Sequence, residues 1–417
     1  MPEFEEIFQL LPDKTQEILT PLWDHLPEHE KEALIEKFEG LPLDVNLVNM
    51  LLDLSKVQMK VALGHKNRVV IVGPANVGKS TLYNRFIREK ADQAEVSPVP
   101  GTTRVNQVAD AGIFAVIDTP GADAVGPVGQ EEKEEALTAA QEADFLVIMF
   151  DAIQGVKENE LKLYHQLVRL RKPYLVVLNK IDLVGGKHES VVIETAAKNL
   201  GIETEKVIPI SAKRGVNITK VLMGIVAADP ELLIPLAQAM PQYRWTLTWR
   251  VIVTSSTISG VIALMPMPLI DFVPLIVNQS TMVLSIARIH NYKITLRRAR
   301  ELVATFGIGL LARSLFQQLS KLGGVPGWLL SSAIAASTTV AMGYAASIWF
   351  EKGERISQES LNTLSKNLTK ELIDRLKHLF TRKPSKKSLE QALGDSLEAT
   401  GMGERETIDQ AALPKDS

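Results

Sequence analysis

The stretch "GPANVGKS" at residues 73–80 is the feature that most constrains the fold of this chain. It matches the pattern G-x-x-x-x-G-K-[ST], directly after the β-rich run "RVVIVG" and directly before a helical pattern. In that context the backbone N–H groups of the loop point at phosphate oxygens, and the dipole of the following helix favours negative charge. This context separates the stretch from an ordinary glycine-rich turn, and it predicts a phosphate-binding loop.

The residues of this loop have separate predicted roles. Gly73 and Gly78 permit a backbone geometry that a Cβ would hinder. We expect Lys79 to bridge the β- and γ-phosphates and the Ser80 hydroxyl to ligate Mg²⁺. The other residues of this segment expected to contact the nucleotide are Asn76, Val77 and Thr81.

Five short β-rich runs alternate with helical patterns between residues 67 and 228. Near-continuous Val, Ile and Leu in such runs is typical of strands buried on both faces of a parallel sheet that helices cover. We therefore predict an α/β domain with a mostly parallel sheet and helices on both faces. Its ligand is expected at the carboxyl ends of the strands. The runs are "RVVIVG", "FAVIDTPG", "DFLVIMFDA", "PYLVVLNKID" and "KVIPISA".

The motif "DTPG" at residues 118–121 follows the second of these runs. Asp118 ends the strand, and we expect its carboxylate to hold the Mg²⁺ shell through water. The Gly121 N–H is expected to meet the γ-phosphate. The motif therefore predicts the part of the site that senses the terminal phosphate.

Two further motifs point to the base of the nucleotide. In "NKID" the Asp182 carboxylate can accept hydrogen bonds from guanine N1–H and the exocyclic amine, a donor pair that adenine lacks, so it selects GTP over ATP. Asn179 is expected to brace the loop and meet the other edge of the base, and Lys180 to lay its stem over the ring. The stretch "SAK" follows the last strand and adds Ser211, Ala212 and Lys213, with the Ala212 N–H expected to donate to guanine O6.

These four motifs, in this order at strand ends, make residues 67–228 resemble a GTPase of the translation-factor class, closest to the Era/TrmE/Der group. The stretch "PGTTR" at residues 100–104 is similar to the first switch of that group. The resemblance implies that Thr103 completes the Mg²⁺ shell when GTP is bound. Thr102 is either a further ligand or a loop hydroxyl. The group continues with Asp where this chain has Val105, and it often has G-x-P-N where this chain has G-P-A-N, so no single member is assigned.

The residue after Gly121 raises a question of mechanism. Ras-like enzymes have a glutamine there that orients the attacking water, whereas this chain has Ala122. Members of the resembled group also lack the glutamine, and several use a potassium ion that an asparagine of the phosphate loop ligates. The resemblance makes Asn76 that ligand and implies slow, K⁺-stimulated hydrolysis that dimerisation across the switches sharpens; alternatively, Asn76 satisfies only the loop backbone. The catalytic set implied is Lys79, Asn76, Thr103 and Gly121, with backbone carbonyls of Ser97 and Val99 around the ion.

The segments at the two ends of the chain differ from this domain. Residues 1–66 are acidic and helix-patterned, and they form either a packed helical region or a partner-binding arm. Residues 381–417 are polar, and their composition predicts a disordered tail. The apolar positions that share one face of the N-terminal helix are Leu47, Met50, Leu51, Leu54 and Val61.

Residues 240–380 are apolar and predict an all-α domain. Uncharged runs at 251–270 and 325–350 are long enough to cross a bilayer core of about 30 Å, but their Ser, Thr, Ala and Gly suit a soluble bundle equally well. The prolines of "MPMP" at 265–268 should break or kink the first run. Asp271 is expected to cap a helix, or else to be a functional carboxylate within the membrane.

The basic stretch at 288–300 lies between these runs, and it either meets anionic lipid head groups or forms a solvated helix face. If each run crossed the membrane once, this basic stretch would lie on the side opposite the cytoplasm, against the positive-inside rule. Residues 251–287 therefore fit better as a hairpin that returns to the cytoplasmic face. The region also resembles the helical domain of unknown function in YcjF-type membrane proteins. That resemblance implies association with membrane lipid, on the cytoplasmic face of a bacterial inner membrane.

Composition removes several classes of function. A net charge of −3 argues against a general nucleic-acid binder, so we expect no specific nucleic acid as a partner. With no cysteine, disulfides and thiolate metal sites are excluded. The preferred interpretation is a switch that binds GTP or GDP and Mg²⁺, with K⁺ as a further ion, and controls a membrane-associated helical domain. The alternatives are a soluble cytoplasmic GTP-dependent scaffold and a ribosome- or RNA-maturation GTPase.

Overall fold

The computed structural model describes residues 61–62, 66, 68–87, 113–119, 137–264, 272–292, 325–379 and 383–413. These residues divide into two compact units. The first unit contains residues 66–244 of the described part, and the second contains residues 61–62 and 245–413.

A parallel sheet forms the centre of the first unit, and its described strands run in the order β2-β1-β3-β4-β5. Each of the five predicted β-rich runs contains one of these strands, so the predicted parallel sheet is confirmed. The strands are β1 (Val69–Pro74), β2 (Phe114–Thr119), β3 (Phe145–Asp151), β4 (Tyr174–Asn179) and β5 (Val207–Pro209).

Helices cover both faces of this sheet, which is why every residue of β1 and β3 is buried. Side chains that alternate along the strands, such as Val70 and Ile148, join a cluster with Leu167 and Leu200 of two covering helices. On the other face the ring of Phe86 stacks on that of Phe114, with centroids 4.8 Å apart. The helices are α1 (Lys79–Ile87), α2 (Glu158–Arg169), α3 (Glu189–Leu200), α4 (Ile218–Ala228) and α5 (Leu233–Ala239), and residues 137–142 are also helical.

The order of the strands places the phosphate loop at a switch point of the sheet. β1 pairs with β2 on one side and with β3 on the other, so the two strands that follow β1 in the sequence lie on opposite sides of it. Ligands of doubly wound sheets bind outside the carboxyl ends of the strands at such a point. Residues 73–80 lie at the carboxyl end of β1 and lead into α1.

The second unit is helical in all the elements that the structure describes. α8 is almost completely buried and packs against α7 and α9. The helices are α6 (Arg244–Ile262), α7 (Phe272–Ile289), α8 (Gly327–Lys352), α9 (Gln358–Leu379), α10 (Lys386–Glu398) and α11 (Arg405–Ala411).

Polar side chains join α6, α7 and α8 inside this unit. Nδ2 of Asn278 donates to the carbonyl oxygen of Ser255 at 2.7 Å and to Oγ of Ser259 at 2.9 Å. Oγ1 of Thr339 donates to Oγ of Ser259 at 2.9 Å and accepts from Nε2 of Gln279 at 3.1 Å. All of these residues are buried, so the apolar composition of the region conceals a hydrogen-bonded interior.

One helix among the described residues, α8, is long and apolar enough to cross a membrane by length and composition. Within this unit, 94% of its apolar window is buried. A core helix of a soluble protein has the same length and composition, so both the membrane span and the soluble bundle predict such a helix.

The other uncharged run, 251–270, does not form one helix of membrane-spanning length. α6 ends at Ile262, and residues 263–264 form a turn before the prolines at positions 266 and 268. Within 251–270 the described helix therefore covers residues 251–262.

The predicted disordered tail, residues 381–417, was also wrong over most of its length. α10 and α11 lie within it, and Leu389, Leu393 and Leu397 of α10 are fully buried. Their spacing of four residues places them on one helical face, which composition alone does not reveal. Arg405 of α11 also stacks over the ring of Trp245, with its guanidinium carbon 4.4 Å from the centroid.

Several predicted features lie outside the described residues. They include the N-terminal region up to residue 60, the "MPMP" stretch and Asp271, and the basic stretch beyond Tyr292.

Candidate functional site

The loop after β1 wraps closely around the carboxyl end of the neighbouring strand. A Cβ at Gly73 would lie 2.3 Å from the backbone oxygen of Met149 in β3. Gly78 has a φ of +96°, and a Cβ there would lie 2.3 Å from Nδ2 of Asn179. Both positions therefore require glycine, for close approach at the first and for close approach and backbone conformation at the second.

Lys79 carries its charge into the middle of this loop. Its Nζ donates to the carbonyl oxygens of Gly73 and Pro74, at 2.7 and 2.6 Å, and its side chain is buried. Ser80 and Thr81 follow in the first turn of α1 and are exposed. The helix thus begins with a buried cation and with hydroxyls that face outward, and the positive end of its dipole lies beside them.

Asn179 links the phosphate loop to the loop after β5. Its Nδ2 donates to the carbonyl oxygen of Val77 at 2.7 Å, and its Oδ1 accepts from the N–H of Ala212 at 2.9 Å. Asn179 and Ala212 are both buried. One side chain at the end of β4 therefore sets the separation of the two loops. The Ala212 N–H, which the sequence assigns to guanine O6, has Oδ1 of Asn179 as its acceptor in this structure.

Lys180 follows in a left-handed conformation, with a φ of 67°, and its side chain bonds to the end of β3. Its Nζ lies 2.6 Å from Oδ2 of Asp151, whose side chain is 4% exposed. The other carboxylate oxygen of Asp151 accepts from the N–H of Ile153 at 2.8 Å. The buried carboxylate is therefore fully engaged, and it holds the Lys180 ammonium beside the strand ends.

Asp182 lies in the short 3₁₀ turn Ile181–Leu183. Its Oδ2 is 3.1 Å from Nε of Arg214, and its side chain is 9% exposed. The N–H of Arg214 donates to Oγ of Ser211 at 3.1 Å, which orders the loop after β5.

Arg85 of α1 supports that same loop from the other side. Its guanidinium donates to the carbonyl oxygens of Ala212 and Lys213, at 3.3 and 2.7 Å. A cleft of about 440 Å³ lies between α1 and the loop. It is lined by Thr81, Asn84, Arg85, Ile87, Ala212 and Lys213.

Three residues of this region were missed by the motifs: Asp151, Arg85 and Arg214. Asp151 carries a signal that sequence analysis could have used, because it ends the β-rich run "DFLVIMFDA" at the edge where ligands bind. Arg85 and Arg214 carry no comparable signal, since their partners are backbone carbonyls or a residue of another loop.

The structure brings together the predicted residues of the phosphate loop, the "NKID" stretch and the "SAK" stretch. The backbone of Asp118 pairs with that of Gly73 in the register of β1 and β2, and its side chain lies outside the described part. The remaining predicted positions lie outside the described residues: Ser97, Val99, Thr102, Thr103 and Gly121.

Two family models match separate parts of the chain. The model described as a 50S ribosome-binding GTPase matches residues 68–180. The model described as a domain of unknown function, DUF697, matches residues 247–378. The two matched stretches fall in the first and the second structural unit respectively.

Known GTPases match part of this chain. GTPase Era of Aquifex aeolicus is 32% identical over 172 residues, covering 39% of this chain and 56% of that protein. The tRNA modification GTPase MnmE of Thermotoga maritima is 34% identical over 189 residues, covering 43% and 39% respectively. This chain thus spans about half the length of these relatives or less. Era in a crystal structure with MgGDPNP and nucleotides 1506–1542 of 16S ribosomal RNA is 25% identical to this chain. The match covers 47% of this chain and 68% of that chain, with a TM-score of 0.31.

Proposed function

We propose that the chain is a GTP-hydrolysing switch that controls its own helical unit. Residues 68–180 match the GTPase family model and residues 247–378 match the DUF697 model, and parts of Era and MnmE are similar to this chain. The observation that carries the proposal is the pair of hydrogen bonds made by Asn179. It couples the loop assigned to phosphate with the loop assigned to the base, so one ligand with both groups would contact both loops.

Guanine is the base that this arrangement favours. Asp182 is a carboxylate with only acceptor oxygens, and it follows directly on the strand end that carries Asn179 and Lys180. Guanine offers it two donors, N1–H and the exocyclic amine, whereas adenine offers an acceptor at N1. Lys180 is held by Asp151, so the stem of Lys180 is available to cover the base.

The phosphate end of the site fits a nucleoside triphosphate with its magnesium ion. Glycines at positions 73 and 78 leave room that a Cβ would fill, and Lys79 already directs its ammonium into the loop. Ser80 presents an exposed hydroxyl at the start of α1, so it is the residue that would hold Mg²⁺, with the Asp118 carboxylate assigned to the outer shell. The ion, when bound, neutralises negative charge on the β- and γ-phosphate oxygens.

Nucleotide turnover tests this proposal. The full-length chain should hydrolyse GTP and leave ATP unchanged under the same conditions. Asp182→Asn replaces one acceptor by a donor, so it should weaken GTP binding at least tenfold and favour xanthosine triphosphate, which has an acceptor where guanine has its amine. Equal turnover of GTP and ATP, or an Asp182→Asn variant with unchanged GTP affinity, would contradict the assignment.

Potassium is the cation we propose in place of the glutamine. Asn76 is exposed within the phosphate loop and has a φ of 63°. Asparagine tolerates this conformation better than most residues, so the backbone alone also explains the residue. Asn76→Gly separates the two explanations, because glycine keeps the backbone conformation and removes the amide. GTP turnover should be faster in KCl than in NaCl, and Asn76→Gly should abolish that difference; equal rates in the two salts would exclude the ion.

Dimerisation across the switches belongs to the same proposal. Light scattering of the full-length chain in KCl should show a dimer when a non-hydrolysable GTP analogue is bound and a monomer when GDP is bound. A monomer under both conditions would exclude it.

Membrane association is the role we propose for the helical unit, at the cytoplasmic face of a bacterial inner membrane. What supports it is α8, which is long and apolar enough to cross a membrane. Carbonate washing of membranes that contain the full-length chain should leave it in the pellet until detergent is added. Release by carbonate would favour the soluble scaffold, in which α8 is a core helix. Co-sedimentation with ribosomes under the same conditions would favour the ribosome-maturation alternative.

A further inference from the structure

The carboxylate assigned to guanine has a partner of its own within the chain. Nε of Arg214 lies 3.1 Å from Oδ2 of Asp182. The side chain of Asp182 is 9% exposed, whereas that of Arg214 is 66% exposed. The carboxylate is therefore almost enclosed, and its cation reaches it from the solvent side.

The backbone that carries Arg214 is well ordered by hydrogen bonds. Its N–H donates to Oγ of Ser211 at 3.1 Å, and the N–H of Gly215 donates to the carbonyl oxygen of Ser211 at 2.7 Å. Ser211 also pairs with Val216 in an isolated antiparallel bridge. Arg214 can therefore leave Asp182 by rotating its side chain, while the loop stays in place.

The two possible partners of Asp182 share one arrangement of N–H donors. Guanine presents its N1–H and its exocyclic amine from nitrogens attached to one carbon, which is the arrangement of nitrogens in a guanidinium group. Both groups donate N–H hydrogens to a carboxylate in one plane. The guanidinium of Arg214 thus occupies Asp182 with the same kind of donor that the base would bring.

We propose that Arg214 competes with guanine for Asp182 and so sets the affinity of the nucleotide site. The inference rests on the proposed role of Asp182 in guanine binding. Because the ion pair stabilises the protein without nucleotide, guanine must displace it, and the return of Arg214 to the carboxylate promotes release of the base. Arg214 is therefore a residue that tunes binding, and no step of hydrolysis depends on it.

Removal of the competitor should tighten binding by a modest factor. An ion pair with one exposed partner contributes little, so we expect the Kd for GDP to fall roughly three- to fivefold in Arg214→Ala. The difference between wild type and variant should shrink as ionic strength rises, because salt screens the exposed guanidinium. Lys220→Ala is the matched control, since it removes one positive charge from an exposed side chain of α4 in the same unit.

The experiment is a titration of fluorescent GDP against the full-length wild type and the two variants, at low and high KCl. The expected result is tighter binding by Arg214→Ala only, with the largest effect at low salt. An unchanged Kd in Arg214→Ala would overturn the inference, and a higher Kd would show instead that Arg214 contacts the nucleotide. A wild type that binds no GDP would contradict the proposed function itself, which is a distinguishable outcome.

A second background tests whether the competition occurs at Asp182. In Asp182→Asn the ion pair is gone, so adding Arg214→Ala should leave the Kd for xanthosine diphosphate unchanged. If Arg214→Ala tightens binding equally in this background, its effect is a general one of charge, and the inference is wrong.

Discussion

Asn179 donates from Nδ2 to the carbonyl oxygen of Val77 at 2.7 Å, and through this bond the end of β4 fixes the phosphate loop. The oxygen of the same amide, Oδ1, accepts from the Ala212 N–H at 2.9 Å, in the loop after β5. Three segments that lie far apart in the sequence therefore depend on one buried side chain.

Asn179→Ala should release both loops. The substitution leaves a buried carbonyl and a buried N–H without partners, and each such loss destabilises a protein by about 1–3 kcal/mol. We expect the affinity for fluorescent GDP to fall more than tenfold and the first unit to unfold at a lower denaturant concentration. Asn217→Gly is a control at the same residue type, because the Asn217 side chain bonds one backbone carbonyl, that of Pro209 at 2.8 Å, and glycine keeps its φ of 59°. Equal losses in the two variants would contradict the special role of Asn179.

Gly73→Ala should prevent the phosphate loop from packing on β3. The new Cβ would lie 2.3 Å from the backbone oxygen of Met149, and a backbone atom of a central strand has nowhere to move. We expect a loss of stability of roughly 2 kcal/mol or more and no measurable GDP binding. Gly186→Ala is the control, since a Cβ there would meet nothing within 4 Å. Urea unfolding followed by circular dichroism measures the stability of both variants, and a titration of fluorescent GDP measures their binding. Near-normal GDP binding by Gly73→Ala would contradict the close packing of Gly73 on β3.

Leu393→Ala should destabilise the helical unit although it lies in a stretch of polar composition. Leu393 is fully buried in α10, and removing such a side chain typically destabilises a protein by about 2–5 kcal/mol. Leu413→Ala changes a side chain that is 64% exposed, so it should have almost no effect. Limited proteolysis of the full-length chain checks this: faster cleavage after Leu393→Ala alone supports the packed C-terminal helices. Identical cleavage of the two variants would favour a tail that does not pack.

Lys66 should stabilise the first unit below strongly alkaline pH. Its Nζ lies 2.6 Å from Oδ2 of Asp229, and this hydrogen bond raises the pKa of Lys66 above its ordinary value of 10.5. The charged form is therefore favoured in the folded state. Its contribution is complete below about pH 10.5 and is lost as the pH rises through the raised pKa.

Lys66→Met measures this contribution. At pH 8 it should lower the stability of the first unit by less than about 1 kcal/mol, because Lys66 is about one-third exposed and solvent screens the pair. The difference from wild type should disappear once the pH exceeds the raised pKa of Lys66, in denaturant titrations followed by circular dichroism. A difference that persists unchanged at high pH would mean that Lys66 acts through packing of its stem.

Much of the first unit follows from local properties of the sequence. Runs such as "RVVIVG" and "PYLVVLNKID" can be buried on both faces only in a sheet that helices cover, and this requirement predicts the parallel sheet. The glycines and the lysine of residues 73–80 likewise identify a phosphate loop, because the required backbone conformation restricts the residue types. These signals extend over a few residues, so they can be read without knowledge of the fold.

The second unit was harder to predict, because composition and periodicity gave conflicting signals. The uncharged run 251–270 contains two prolines, and α6 ends at Ile262 before reaching them. Residues 381–417 are polar on average, yet leucines at every fourth position bury one face of α10. Averages over a segment miss such faces, since packing depends on which residues share a side of the helix.

In the first unit, the sequence by itself determined the strands, their order along the chain and the chemistry available at the strand ends. Only the tertiary structure decided which groups meet: the Asn179 side chain with the Val77 carbonyl, 102 positions away, Lys180 with Asp151, and Asp182 with Arg214. These pairs come from different loops, and no local propensity specifies them. Their geometry depends on the register of neighbouring strands and on the burial of the partners, which exist only once the sheet and its helices have assembled.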